Sequence, residues 1–202
     1  MTGSQHGQDD WVLSQFPTGT YLDVGCGDGL FLSNTTNLEH LGWHGIAIDA
    51  FPKNFELRPN TQVISAVVYS EKNKVVDFLV PQEVELAGII THLTDLHKDS
   101  LMAGKNQILQ LGTCLLHDIL DELKAPEFIE YMSLDIEGAE YEVLRTFPFD
   151  RYQFGCLTIE HNHQQPERTL VRTLLEQNGY SLSRSVKCDD WYVSNRHLED
   201  CS

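Results

Sequence analysis

The stretch Thr20-Tyr-Leu-Asp-Val-Gly-Cys-Gly-Asp-Gly29 constrains this chain more than any other. Its first half, Tyr21 to Val24, reads as a short buried strand. Gly25, Gly27 and Gly29 then recur at every second position, and Leu30-Phe31-Leu32 reads as the opening of a helix. A strand that turns through glycines into a helix lets backbone pass close to a ligand. It also offers free N–H groups and a positive helix end to negative groups. The dinucleotide fingerprint requires G-x-G-x-x-G. Here the third glycine comes one residue early, as D-x-G-x-G-x-G beginning at Asp23, which argues against a nicotinamide-dependent oxidoreductase.

A second apolar run, Gly45-Ile-Ala-Ile-Asp49, ends in an acid roughly 20 residues after the loop, the spacing at which doubly wound folds place a ribose-binding carboxylate. A carboxylate accepts two charge-assisted hydrogen bonds at once, as a pair of ribose hydroxyls requires. Asp49, with Ala50 beside it, is therefore a candidate cofactor contact. The competing reading is that Asp49 caps the turn into Phe51-Pro52. A third segment, Tyr131-Met-Ser-Leu-Asp-Ile-Glu-Gly-Ala-Glu-Tyr-Glu-Val-Leu144, predicts a strand running into Asp135 and a helix starting near Glu137.

The D-x-G-x-G-x-G pattern resembles the first motif of S-adenosylmethionine-dependent methyltransferases. With the acid-x-Glu-Gly-x-Glu segment at Asp135 to Glu140, the chain resembles the FkbM-type methyltransferase family. The resemblance extends over Ser4 to Asp9, Ser33-Asn34-Thr35, Ile159-Glu160-His161-Asn162 and the ending Asp190-Trp191-Tyr192-Val193, and so spans nearly the whole chain. It implies an α/β fold of class I methyltransferase architecture: a Rossmann-like, doubly wound, mostly parallel sheet with a C-terminal antiparallel hairpin. It implies S-adenosylmethionine as cofactor, with Gln8, Asp23, Gly25, Gly27, Gly29, Asn34, Thr35, Asp49, Ala50, Ala66 and Val67 as candidate contacts. Gln8 with Asp9, and Asn34 with Thr35, are equally well read as helix-end residues.

Composition narrows the partners. Thirty acids against 14 bases give a net charge of −16, which repels nucleic acid and anionic lipid. His161-Asn162-His163 superficially spells a nuclease signature, and the same charge opposes it. No apolar run approaches a membrane span. Five scattered cysteines without a C-x-x-C pair read as free thiols. With a polar N-terminus, they make a cytoplasmic location the expectation. The length of 202 residues and 41% hydrophobic content suit one soluble domain.

Along the chain, the patterning predicts a helix over 4–16 and another from Asn34 to Leu41. It predicts a third strand over Thr61–Val68, paired across 71–73 with a strand over Lys74–Val80. Residues 81–106 show no period and read as a lid or acceptor-specificity insertion, with His92 and His97 as solvated loop residues. A strand over 107–112 and an amphipathic helix over 114–124 follow. The fifth strand, Gln153–Glu160, precedes a helix over 166–178 and a closing hairpin.

Methyl transfer to a hydroxyl calls for alignment, exclusion of water, and a base or metal acting on a weak nucleophile. The acceptor expected is a small molecule or glycan, with an N-methyltransferase or a non-catalytic cofactor-binding relative as alternatives. Asp135, Glu137 and His161 are the candidate catalytic groups. In one arrangement Asp135 and Glu160, with Asn162, hold Mg2+ through oxygens. In the other His161 or Glu137 takes the proton without a metal. Glu140 faces solvent or caps its helix, and Cys26 reads as a small filler.

Overall fold

The computed structural model describes residues 3–80, 87–94 and 106–200. Its elements in chain order begin with α1 (Gln8–Gln15), β1 (Thr20–Val24), α2 (Thr36–His40), β2 (His44–Asp49), β3 (Thr61–Ser65) and β4 (Val67–Val68). They continue with β5 (Val75–Val80), β6 (Gly88–Ile89), β7 (Gln107–Cys114), α3 (Leu116–Leu123), β8 (Phe128–Leu134) and α4 (Glu140–Leu144). The last are β9 (Gln153–Glu160), α5 (Glu167–Gln177), β10 (Tyr180–Val186), β11 (Asp189–Ser194) and α6 (Asn195–Asp200).

Seven strands form the main sheet in the order β10-β11-β9-β8-β1-β2-β3. β1, β2, β3, β8 and β9 run parallel, whereas β11 is antiparallel to both β9 and β10. From β1 the chain first builds outward through β2 and β3, then returns to lay β8 on the other side. The carboxyl ends of β1 and β8 thus lie at the point where the order reverses, where open parallel sheets form their crevice.

Side-chain alternation explains why both faces are covered. Leu22 and Val24 of β1, with Met132 and Leu134 of β8, pack on one face against Leu116, Ile119 and Leu120 of α3 and Val171 and Leu175 of α5. Tyr21 and Tyr131 point to the other face and meet Trp11 and Val12 of α1, Leu38 and Trp191. No helix among the described residues is long and apolar enough to cross a membrane.

Several boundaries differ from the sequence expectation. The first helix begins at Gln8, not residue 4, because Gly7 adopts a left-handed φ of 81°. No helix opens at Leu30. Asp28 Oδ1 accepts from the Leu30 and Phe31 N–H groups, Leu32 sits at φ 52°, and α2 starts only at Thr36. The expected third strand divides. β3 pairs with β2, and β4 crosses to join β7 in a second sheet of order β4-β7-β5-β6. β5 pairs with β7 and β6 instead of forming a hairpin with Thr61–Val68. The 71–73 turn is instead tied to β7, where the Asn73 N–H donates to the Thr113 carbonyl at 2.7 Å.

A buried arginine holds the segment behind the glycine loop. Arg58 donates to Glu39 at 2.7 Å, to the Gly29 carbonyl at 3.0 Å, to the Tyr21 hydroxyl at 2.8 Å and to Thr35 Oγ1 at 3.0 Å. Its position in a short polar stretch carries no periodic signal that sequence reasoning could have used.

Candidate active site

The crevice has two lobes that meet at Gly25, Gly27, Asp135 and Glu137. The first is walled by Ile48, Ala50, Ala66, Val67, Phe78 and Ile89, with Asp49 among its lining residues. The second is polar and carries Asp23, Asn34, Ser133, Asp135, Glu137 and Glu160. Pockets of a few hundred Å3 with an apolar wall and few polar groups are the usual form of small-molecule sites.

The glycines divide by task. A Cβ on Gly25 would fall 1.6 Å from the Asp135 carbonyl oxygen, so this residue lets the β1 and β8 ends close together. A Cβ on Gly27 would meet nothing within 4 Å, which leaves open space over the loop. Gly29 does not line the cleft. Its carbonyl accepts from Arg58 and Thr36, and a Cβ there would strike the Phe55 ring. The expected free N–H groups are also engaged. Gly25 and Cys26 donate to the Ile48 carbonyl, Gly27 donates to Asp49 Oδ2 at 3.0 Å, and Gly29 donates to the Cys26 carbonyl. The loop therefore offers shape more than an anion cradle.

Asp49 accepts from Gly27 and, at 2.7 Å, from the Phe51 N–H. Each carboxylate oxygen keeps a second lone pair for a ligand in the apolar lobe. Asp49 thus caps the turn as the competing reading held, and lines the cleft as well. Ala50, Ala66 and Val67 line it too. Sequence reasoning missed Phe78 and Ile89, because β5 and β6 reach this wall through pairings that no local pattern encodes.

In the polar lobe, burial raises the Asp23 carboxyl above its usual range, opposed by the hydrogen bond that Thr35 Oγ1 donates at 2.6 Å. Asn34 Nδ2 donates to Ser133 Oγ at 3.0 Å. Asn34 Oδ1 is buried without a hydrogen-bond partner, an acceptor available to a ligand. Thr35 itself does not line the lobe and acts through Asp23. Gln8 is also removed from the cleft, with its Nε2 donating to Asp189 Oδ2 at 2.7 Å and its Oε1 accepting from the His6 N–H. Asp9 holds Ser4 and Asn37.

Four carboxyls converge at the ends of β8 and β9. Asp135 and Glu160 share a hydrogen bond, and both lie with Glu140 so that one oxygen of each falls within 4.8 Å of the others. Burial pushes Asp135 up to about 6, and burial with the neighbouring Asp135 charge pushes Glu137 up to about 9. Glu160 is raised by the same two causes. Glu137 sits in a left-handed turn at φ 59°, before Gly138 at φ 103°, so the predicted helix start is displaced to Glu140. Glu140 is buried, contrary to a solvent-facing role. Its Oε1 accepts from the Ile136 and Gly138 N–H groups, and burial raises it to about 7.

Two expectations change here. Asn162 turns its amide nitrogen to this cluster, donating to Glu160 at 2.6 Å and Glu137 at 3.2 Å. The expected Asp135–Glu160–Asn162 oxygen set is therefore not assembled, and Glu140 takes the third place. His161 does not line the cleft. It follows Glu160 and points to the opposite side, into a small pocket with Arg168, Asp190 and Tyr192. Its Nδ1 accepts from the His163 N–H at 3.0 Å, and burial, then the Arg168 charge, lowers its pKa. His92 is likewise no solvated loop residue, since its Nε2 lies 3.1 Å from the Tyr69 hydroxyl. His97 lies outside the described residues.

A crevice at the strand-order reversal, with an apolar lobe and a carboxyl-lined one, has the form of a small-molecule or cofactor site. Residues 23–182, more than half of the chain, match the model of the methyltransferase FkbM domain. The chain belongs to this family of S-adenosylmethionine-dependent methyltransferases. A comparison with curated proteins finds no significant match. Among solved structures, the crystal structure of a SAM dependent methyltransferase from Aquifex aeolicus is similar at a TM-score of 0.42 and 15% identity, covering 93% of this chain and 88% of that one.

Proposed function

We propose that this protein transfers a methyl group from S-adenosylmethionine to a hydroxyl oxygen of a small molecule or glycan. The observation that carries the reading is the placement of Asp135 and Glu137, whose residues border both lobes of the crevice. The sheet order supports a doubly wound, class I architecture in one domain, with 81–106, of which 81–86 and 95–105 lie outside the described residues, as the insertion that shapes the acceptor side; its Ala87 and Ile89 line the apolar lobe, where the cofactor would sit.

The residues present fit the cofactor. Ala50, Ala66, Val67 and Phe78 would wall its adenine, Asp49 would accept from its ribose, and the open face of Gly27 leaves room for it beside the loop. The unpartnered Asn34 Oδ1, with Asp23 behind it, suits the ammonium group. S-adenosylmethionine, when bound, supplies a methyl already activated on a sulfonium. The protein then contributes alignment and a proton acceptor. Asp135 would take the hydroxyl proton as the C–O bond forms and the S–CH3 bond breaks, leaving S-adenosylhomocysteine, and Glu137, held by Asn162, would orient the acceptor. Phe78 and Ile89 add apolar surface to the first lobe. His161 has no part in this step, because its ring occupies the neighbouring pocket.

Thermal stabilisation by S-adenosylmethionine and S-adenosylhomocysteine, with NAD as control, tests the cofactor half of the reading. A ligand that binds only the folded state raises the midpoint by mass action. The expected result is a shift with both sulfur compounds and none with NAD, and no shift at saturation would overturn the reading. Asp49→Ala is expected to lose about 1–3 kcal/mol of cofactor affinity by calorimetry, with folding retained. Unchanged affinity would remove Asp49 from the ribose role.

A further inference from the structure

A second convergence of metal-ligating side chains, beside the methyl-transfer groups, comes from three separate parts of the sequence. Lys187 takes a left-handed φ of 57° in the tight turn between β10 and β11, presenting Cys188 at its tip. The His161 N–H donates to the Cys188 carbonyl at 2.7 Å, which fastens this turn to the end of β9. Ligand atoms of Cys188, Asp189 and Glu160 consequently lie within 4.8 Å of one another. His6, on the segment before α1, places Nε2 at 3.6 Å from Cys188 Sγ. Gln8 orders two members at once, since its Nε2 holds Asp189 Oδ2 and its Oε1 holds the His6 backbone.

We infer that Cys188, Asp189 and Glu160, with His6 beside the Cys188 sulfur, form a site for a thiophilic divalent cation of the zinc class. Zinc–sulfur and zinc–nitrogen bonds of about 2.3 and 2.0 Å at a tetrahedral angle separate the two ligand atoms by about 3.6 Å, the spacing of Cys188 Sγ and His6 Nε2. A thiol and two carboxylates, with an imidazole nitrogen 3.6 Å from the sulfur, form a mixed donor set that favours zinc over magnesium, which prefers oxygens and retains water. Gln8 supplies the outer hydrogen bonds that fix ligand orientation at such sites. On binding, the Cys188 thiol releases its proton to solvent and coordinates as thiolate, and the cation offsets the repulsion between Glu160 and Asp189. This set shares Glu160 with the all-carboxylate group of Asp135, Glu140 and Glu160 and differs from it in offering a thiol and a nearby imidazole; it does not depend on the methyl-transfer reading.

The test is a titration of chelator-stripped protein with Co2+, a spectroscopic substitute for zinc. The expected result is one equivalent bound per chain with a near-ultraviolet thiolate-to-metal charge-transfer band that Zn2+ abolishes. Cys188→Ser should lose the band, His6→Ala should weaken Co2+ binding by tenfold or more, and Cys114→Ser should leave both unchanged. Far-ultraviolet circular dichroism reports folding of each variant. Should Cys188→Ser not fold, His6→Ala carries the test. No charge-transfer band in the wild type, a band that persists in Cys188→Ser, or unaltered affinity in folded His6→Ala would each overturn the site. Calorimetry with S-adenosylmethionine on the same samples separates the two ideas: cofactor binding without cobalt binding rejects the metal site alone, and the reverse rejects the cofactor reading alone.

Discussion

Replacing Asp135 with asparagine is expected to lower turnover by about 10²–10⁴-fold with a hydroxyl acceptor, the range for loss of a positioned proton acceptor. Asparagine preserves size and can still pair with Glu160, but it cannot take the proton. The backbone contact between the Asp135 carbonyl and Gly25 is untouched by the change, so the crevice should keep its shape. S-adenosylmethionine affinity should therefore stay within about threefold of wild type, below the scale of a lost hydrogen bond to a charged group. Release of S-adenosylhomocysteine, followed alongside calorimetry, reads both quantities. A rate within a factor of three of wild type would make Asp135 a structural acid and leave proton removal from the hydroxyl to another group.

Arg58→Met is expected to cost about 3–5 kcal/mol of folding stability, the scale for leaving a buried charge without its partner. For a chain of this size that corresponds to a midpoint lower by roughly 6–20 °C. Glu39, only 5% exposed at its side chain, would then face the interior with its guanidinium removed. Burial by itself raises the Glu39 carboxyl, yet hydrogen bonds from Thr61, Arg58 and Asn60 hold it below its usual range. A depressed carboxyl contributes stability above its unfolded pKa and loses it as pH falls through the folded value. The deficit of Arg58→Met relative to wild type should accordingly narrow in acid. Denaturant unfolding at neutral and low pH measures it, with Arg58→Met/Glu39→Gln expected to recover part of the loss. A single-variant loss under 1 kcal/mol, or no recovery in the double variant, would mean that Arg58 serves the glycine segment through packing alone.

Much of the site was legible because it rests on local signals. The turn at Gly25 and Gly27 needs conformations that glycine adopts freely. Asp49 and Asp135 each end an apolar strand, so their location at one edge of a parallel sheet follows from strand direction. The fifth strand, Gln153–Glu160, was readable to the residue as a buried run. The family resemblance added the cofactor, which residue patterns alone left open.

Other features depended on which distant segments meet. The division of Thr61–Val68 between two sheets turns on whether β4 finds β7 more than forty residues later, and pairing partners leave no trace in local periodicity. His161 was misplaced because adjacent residues at a strand end face opposite sides. Glu160 reaches the crevice, and its neighbour does not. Arg58, Gln8 and the group of His6, Cys188, Asp189 and Glu160 take their meaning from partners far along the chain. The sequence by itself determined the strands, the glycine turn and the acids that end β2 and β8, because backbone sterics and hydrophobic alternation act over a few residues. Tertiary structure alone decided which acids share protons, which polar groups are buried together, and which histidine meets the thiol, because those depend on distances set only when the sheet is assembled.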